Sequence, residues 1–252
     1  MTRMRWRWMA GAVLVGVLVA GCGQSTPGTA STGAGTLTTT AAASLPTTGT
    51  ASCDFTPTPD QPAPAGHGVG TPPTTAPRAG TVQVTLHTSQ GDIPITMPRA
   101  KAPCTVASFA FLAGKDYFNN TPCHRLTSAN TLKVLQCGDP TGTGTGGPGY
   151  TVPDENPTGL PSVPGQDADR YARGVVAMAN TGQPHSGGSQ FFLVYGDSAL
   201  PPTYAIFGTM AVSGLAVLDK IAAAGVAGGG QDPQDGAPAT PVTITSVTVA
   251  GS

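Results

Sequence analysis

Residues 174–195 read GVVAMANTGQPHSGGSQFFLVY, two apolar runs separated by a polar, glycine-rich stretch. Gly174–Met178 is continuously apolar and Ser189–Tyr195 is rich in aromatic and β-branched residues, the pattern of short strands buried on at least one face. Thr181–Gly188 between them carries Gly, Pro, Asn and Ser, which favour turns. Two paired strands joined by an ordered loop are predicted. Side chains alternate across a strand, so Phe191 and Phe192 face opposite sides, and Phe191 is the one assigned to a core. Backbone groups at Ala179-Asn180, the Gln190 carboxamide and phenyl rings can then line a shallow groove suited to an extended peptide.

Working outward, Thr81–Ser89 (TVQVTLHTS) alternates apolar with polar, Gln90-Gly91-Asp92 offers a turn, and Ile93–Met97 alternates again, which predicts a hairpin. Pro103 stands at a plausible first helical position, and Val106, Phe109, Ala110 and Ala113 recur at helical spacing before Gly114. Thr121–Leu126 and Leu132–Gln136 read as a further strand pair, Tyr204–Thr209 and Pro241–Ala250 as strands, and Leu215–Ala224 as a second helix. The class is mainly β, and short-turned strands with two helices fit a closed antiparallel β-barrel capped by those helices. The loop Gly138–Tyr150, with its run GDPTGTGTGGPG, lacks the Lys-Ser/Thr ending of a phosphate-binding loop, which argues against a nucleotide site.

The N-terminus has a different character. Met1–Trp8 holds Arg3, Arg5 and Arg7, Met9–Gly21 is apolar, and Val19-Ala20-Gly21-Cys22 follows. That is the layout of a lipoprotein signal peptide over residues 1–21, with Cys22 as the lipidated residue and the mature protein extracytoplasmic, anchored to the cell membrane. Residues 22–80 are dominated by Thr, Ser, Pro, Ala and Gly and read as a disordered tether, leaving 81–252 as the folded domain. Removing three arginines from twelve Lys+Arg leaves nine against thirteen Asp+Glu, formally −4. With no basic cluster, nucleic acid is a poor partner. Cys53, Cys104, Cys123 and Cys137 remain after Cys22. Outside the cell they admit three pairings, or one disulfide with two buried thiols.

Hydrolytic and metal chemistry find no support: there is no G-x-S-x-G and no H-E-x-x-H, and the four histidines are scattered. No metal and no cofactor are expected. Five segments in order, Cys123-His124-Arg125-Leu126, Gln136-Cys137-Gly138-Asp139, Met178-Ala179-Asn180, Gly188-Ser189-Gln190-Phe191-Phe192 and Phe207-Gly208, give the span from about Thr81 to Ala250 a sequence that resembles the cyclophilin-type peptidyl-prolyl isomerases. The resemblance implies an eight-stranded closed barrel and isomerisation of X-Pro bonds in exported, proline-containing polypeptides. A peptide-binding module with little turnover is the second reading.

Catalysis of this kind needs neither nucleophile nor proton transfer, because the barrier is lost amide resonance, about 18–20 kcal/mol for a peptide bond. Arg125 is the candidate donor to the twisted amide. By resemblance, Gln136 binds substrate and places the arginine, Phe192 floors the proline pocket, Ala179 and Asn180 clamp the substrate backbone, and Gln190 is a second polar groove residue. Lys133 and Val134 fall where the family places a phenylalanine and a methionine. Leu200 and Tyr204 fall where it often has tryptophan and histidine, with Pro201 in place of a leucine. These departures alter the pocket rim and imply that a cyclosporin-type ligand binds weakly.

Overall fold

The computed structural model describes residues 48–227 and 232–250. The expected signal peptide, Cys22 and residues 23–47 of the expected tether lie outside the described residues. Ten strands form one antiparallel sheet: β1 Thr81–Thr88, β2 Gly91–Pro98, β3 Thr121–Pro122, β4 Arg125–Thr127, β5 Lys133–Cys137, β6 Val175–Met178, β7 Phe191–Gly196, β8 Ile206–Met210, β9 Asp235–Gly236 and β10 Thr243–Ala250. Two helices, α1 Pro103–Ala113 and α2 Val212–Ala224, pack with it.

The sheet order is β9-β4-β5-β7-β6-β8-β2-β1-β10-β3. Edge strand β3 and strand β4, next to the opposite edge, are separated in sequence by Cys123 and His124 alone. Three Cα steps span at most about 11 Å, so the sheet curls until its two ends approach. The expected single strand Thr121–Leu126 is therefore two short ones, and the unforeseen β9 lengthens the sheet, so that ten strands stand where eight were expected.

Alternation builds the interior. In β1 Val82, Val84 and Leu86 point inward, and in β2 Ile93, Ile95 and Met97 do the same, each of these apolar residues adding about 1.5–3 kcal/mol on burial. From α1, Phe109 reaches into this interior and meets Phe118, Phe191 and Phe207, with ring centroids 4.8, 5.3 and 5.4 Å away. The start of α1 has no capping side chain of its own. Glu155 supplies it from a distant loop, one carboxylate oxygen accepting from Cys104 N at 2.9 Å and the other from Thr105 N and Oγ1 at 2.8 Å. Helix α2 lies close on β2 through Gly214, where a Cβ would come within 2.9 Å of Ile93 Cγ2.

The tether boundary at residue 80 is corrected by the fold. Thr50–Ser52 pairs with Thr75–Pro77, and Thr56–Pro57 pairs with Tyr150–Thr151. Ala51, Cys53, Phe55 and Ala76 join the main core. This arm is ordered despite its weak apolar content because a disulfide, Cys53–Cys104, ties it to α1. A second disulfide joins Cys123 to Cys137, which resolves the open question of pairing.

Candidate active site

The outer face of the sheet carries a second apolar cluster, separate from the core. Val134, Tyr171, Ala177, Phe192 and Val194 form it, with Leu132, Ala179, Leu200 and Tyr204 packed around them. The division follows from the pleat: along β7, Phe191 and Leu193 belong to the interior while Phe192 and Val194 belong to the outer cluster. Phe192 is 5% exposed where Phe191 is fully buried. Its ring stands edge-on to Tyr204 at 5.5 Å and tilted to Tyr171 at 6.4 Å.

Strand register then places the polar groups. Arg125 on β4 is paired with Gln136 on β5, Gln136 with Phe192 on β7, and Phe192 with Ala177 on β6. Neighbouring strands lie about 4.8 Å apart, so these residues form one row across four strands, with the guanidinium at the rim of an apolar seat. Arg125 NH1 donates to Gln136 Oε1 at 3.2 Å, and Gln136 Nε2 donates to Gln190 Oε1 at 2.9 Å. Gln190 Nε2 in turn donates to the carbonyls of Gly144 and Gly146 at 2.9 and 3.0 Å.

That glycine-rich loop is organised by Asp139, which is fully buried. Its carboxylate accepts from Thr141 N and Oγ1 and from the backbone N–H of Gly144 and Gly146. Burial alone would raise its pKa, but these hydrogen bonds outweigh burial and hold the carboxyl below its ordinary value. The glycine-rich loop is thus a carboxylate-centred turn supporting Gln190.

Asp235, on β9, is a site residue that sequence reasoning missed. Its two oxygens accept from Arg125 Nε and NH2, both at 2.7 Å. The pair raises the arginine pKa and lowers that of the aspartate, hydrogen bonding being the largest cause in each. Of five guanidinium N–H groups, two go to Asp235 and one to Gln136, leaving two to donate elsewhere. Tyr171 is the second such residue. Its hydroxyl lies 3.0 Å from the Tyr204 carbonyl and accepts from Tyr204 N at 3.2 Å, which fixes the 200–204 segment, and burial pushes its pKa up to about 12.

At the groove, Ala179 N donates to Gln190 O at 2.9 Å, so that N–H is spent in the ladder. The Asn180 side chain donates to Thr203 O and accepts from Gly182 N. Among the described residues the backbone N–H and carbonyl of Asn180 make no hydrogen bond, so this residue offers a free donor and acceptor to an extended peptide. Lys133 lies across Gly196, where a Cβ would meet its Cδ at 2.6 Å, and Leu132 packs on the outer cluster beside Val134. The His124 pKa is lowered, first by burial, with Asp139 opposing and Arg125 adding to the effect. Among the described residues its Nδ1 is the one buried side-chain polar atom without a partner.

Residues 83–249 match the model of the cyclophilin type peptidyl-prolyl cis-trans isomerase/CLD family, and the chain belongs to that family. It is similar to a protein named Probable peptidyl-prolyl cis-trans isomerase B from Mycobacterium leprae (strain TN), 49% identical over 206 residues, covering 78% of this chain and 66% of that protein. A protein of the same name from Mycobacterium tuberculosis (strain ATCC 25618 / H37Rv) is 48% identical over 207 residues, 78% of this chain and 63% of the relative. The matches thus span less than two thirds of either relative's length. Among solved structures, a cyclophilin type peptidyl-prolyl cis-trans isomerase of Cryptosporidium parvum superposes with a TM-score of 0.53 at 25% identity, covering 69% of this chain and 99% of the other.

Proposed function

We propose that this protein catalyses cis-trans isomerisation of X-Pro bonds in exported polypeptides, without cofactor or metal, as a lipoprotein held outside the cell membrane through Cys22. The observation that carries the reading is the row Arg125–Gln136–Phe192–Ala177. It sets a donor with two free N–H groups beside an apolar seat for the proline ring. The substrate backbone lies against Asn180, whose free N–H and carbonyl pair with it. As the amide twists, resonance is lost and the prolyl nitrogen recovers a localised lone pair that can accept a hydrogen bond. Arg125 donates to that nitrogen in a partly desolvated site, favouring the twisted state over either planar one. Val134, Leu200 and Tyr204 complete the wall of the pocket, and Gln190 keeps Gln136 in line. We read the curl of the sheet as the family's closed barrel, with β3 and β9 as short additions at its lips.

A protease-coupled assay, in which only the trans form of a proline peptide is cleaved, tests the activity. Acceleration of the slow phase is expected, and a protein that binds the peptide without accelerating it would reduce the reading to a binding module. For the anchor, Cys22→Ala should move the protein out of the membrane fraction. Unchanged fractionation of that variant would remove the lipoprotein assignment.

A further inference from the structure

A cavity of about 380 Å³ opens beside Gln136 and Gln190, and its far side is built by the N-terminal arm. The arm precedes the span matched by the family model, residues 83–249, so this wall lies outside the family's common domain. Thr58 and Gln61 are the arm residues that line the cavity. Both are held in place by a docked backbone: Thr56 and Pro57 pair with Thr151 and Tyr150, and Thr58 N donates to Gly149 O at 2.9 Å. Phe55 meets the Tyr150 ring edge-on at 5.6 Å, and the Cys53–Cys104 disulfide pins the arm five residues before Thr58. Gly149 is at φ +85°, and a Cβ there would stand 3.1 Å from Ala63 N, so a glycine lets the arm lie this close.

We propose that the arm is a specificity wall: Thr58 and Gln61 close a polar compartment off the groove that selects an uncharged, hydrogen-bonding side chain on a substrate residue flanking the proline. The inference rests on the groove being the peptide site. None of the side chains lining the cavity is charged, and the surfaces presented are the hydroxyls of Thr145, Thr181 and Ser186, the Gln61 carboxamide and glycine backbone, the Gln190 carboxamide being committed to Gln136, Gly144 and Gly146. Among the described residues the Gln61 carboxamide has no hydrogen-bond partner: its backbone N–H donates to Thr58 O, its backbone carbonyl accepts from Thr58 Oγ1, and the side chain is left over. A Ser, Thr, Asn or Gln side chain from the substrate exchanges water for these groups at little loss. A Glu or Lys side chain surrenders hydration with no counter-charge to replace it. Acidic residues fare worst, because the buried Asp139 carboxylate stands directly behind Gly144 and Gly146.

The test is a panel of proline peptides in which each residue within three of the proline, on both sides, is in turn Ala, Asn, Glu or Lys. Each peptide is measured both by equilibrium binding to the purified protein and by the coupled isomerase assay. At one flanking position Asn should be preferred to Glu by about tenfold, the worth of roughly one hydrogen bond plus the lost hydration of the acid. In the double variant Thr58→Ala, Gln61→Ala that ratio should fall towards one, and Gln61→Lys should turn it in favour of Glu. The proposal is overturned if no flanking position discriminates, or if the ratio survives both variants. Binding selectivity without turnover would instead count against the isomerase reading while upholding the wall.

Discussion

Phe191 and Phe192 are neighbours on one strand and do opposite things. Phe191 closes a core in which its ring is edge-on to Phe109 and Phe118, and nothing about that face is left to satisfy. Phe192 lies on a face where apolar seat, paired guanidinium and an unpaired stretch of backbone adjoin. Both rings are buried, so depth does not separate structure from function here. What separates them is whether the surrounding polar groups have spent their hydrogen bonds on one another. Removing each ring is the sharpest way to break the comparison. Phe191→Ala should cost about 3–5 kcal/mol of stability through the cavity it leaves, read as a large fall in the denaturation midpoint. Phe192→Ala should cost less, because its partners Leu200 and Tyr204 are only partly buried and can relax onto the gap, yet it should remove most isomerase activity. Equal stability losses would mean that the outer cluster is simply more core.

Arg125→Ala should lower kcat/KM by about 10²–10³-fold, the range for deleting one pre-placed donor to a developing charge. Stability should barely move, because Arg125 and Asp235 are each more than a third exposed and such pairs contribute little. A variant that kept near-normal turnover would take the mechanism with it. At the rim, Leu200 offers no N–H and less surface than an indole, so Leu200→Trp should tighten a cyclosporin-type ligand by roughly ten- to a hundred-fold, from one hydrogen bond and aromatic contact. Calorimetric titration of both proteins checks it, and nanomolar binding by the unmodified protein would show that the rim needs no indole.

The division between the two faces was readable before the structure because strand alternation is a local rule, and Ser189–Tyr195 obeys it. The hairpin β1–β2 and the start of α1 at Pro103 were readable for the same reason. Three features escaped. The arm has too few large apolar residues to announce order; its order comes from a disulfide partner 51 residues away. Asp235 sits on a two-residue strand whose register is dictated by Leu126 and Thr127, so no periodicity marks it. The pocket contribution of Leu132 depends on the irregularity between Val194 and Gly196, which shifts β5 against β7 and draws Lys133 across Gly196. Each is a long-range pairing, invisible to any window along the sequence.

A smaller effect tests how tightly Arg125 must be held. Asp235→Asn keeps one acceptor for the guanidinium and removes its charge. It should lower kcat by several-fold, the worth of about 1 kcal/mol for weakening a charge-assisted bond, with KM little changed because the apolar seat is intact. A change confined to KM would make Asp235 part of substrate binding and not a support for the arginine.

The smallest effect distinguishes the two regions by pH. Asp235 has its pKa lowered by Arg125, so the stability it contributes is present above the ordinary carboxylate pKa and is lost as pH falls through the lowered one. Glu155, at the start of α1, has its pKa raised, because burial outweighs the hydrogen bonds from Cys104 and Thr105. Here the sign reverses. Between its ordinary and raised pKa values the folded protein binds the extra proton, so its contribution is greatest in acid and declines as pH rises through the raised value. Total stability mixes both trends, and a melt of the unmodified protein will not resolve them. Glu155→Gln isolates one: it cannot titrate, and its amide presents a donor to the N–H groups of α1, so it should be less stable than the parent throughout. The gap between parent and variant should be widest in acid, below the ordinary glutamate pKa, and should narrow as pH rises through the raised value, measured as the difference in thermal midpoints. A gap that widened with pH would mean that the helix N-terminus stabilises the Glu155 carboxylate by more than burial costs it, and that this interior acid behaves like the exposed Asp235.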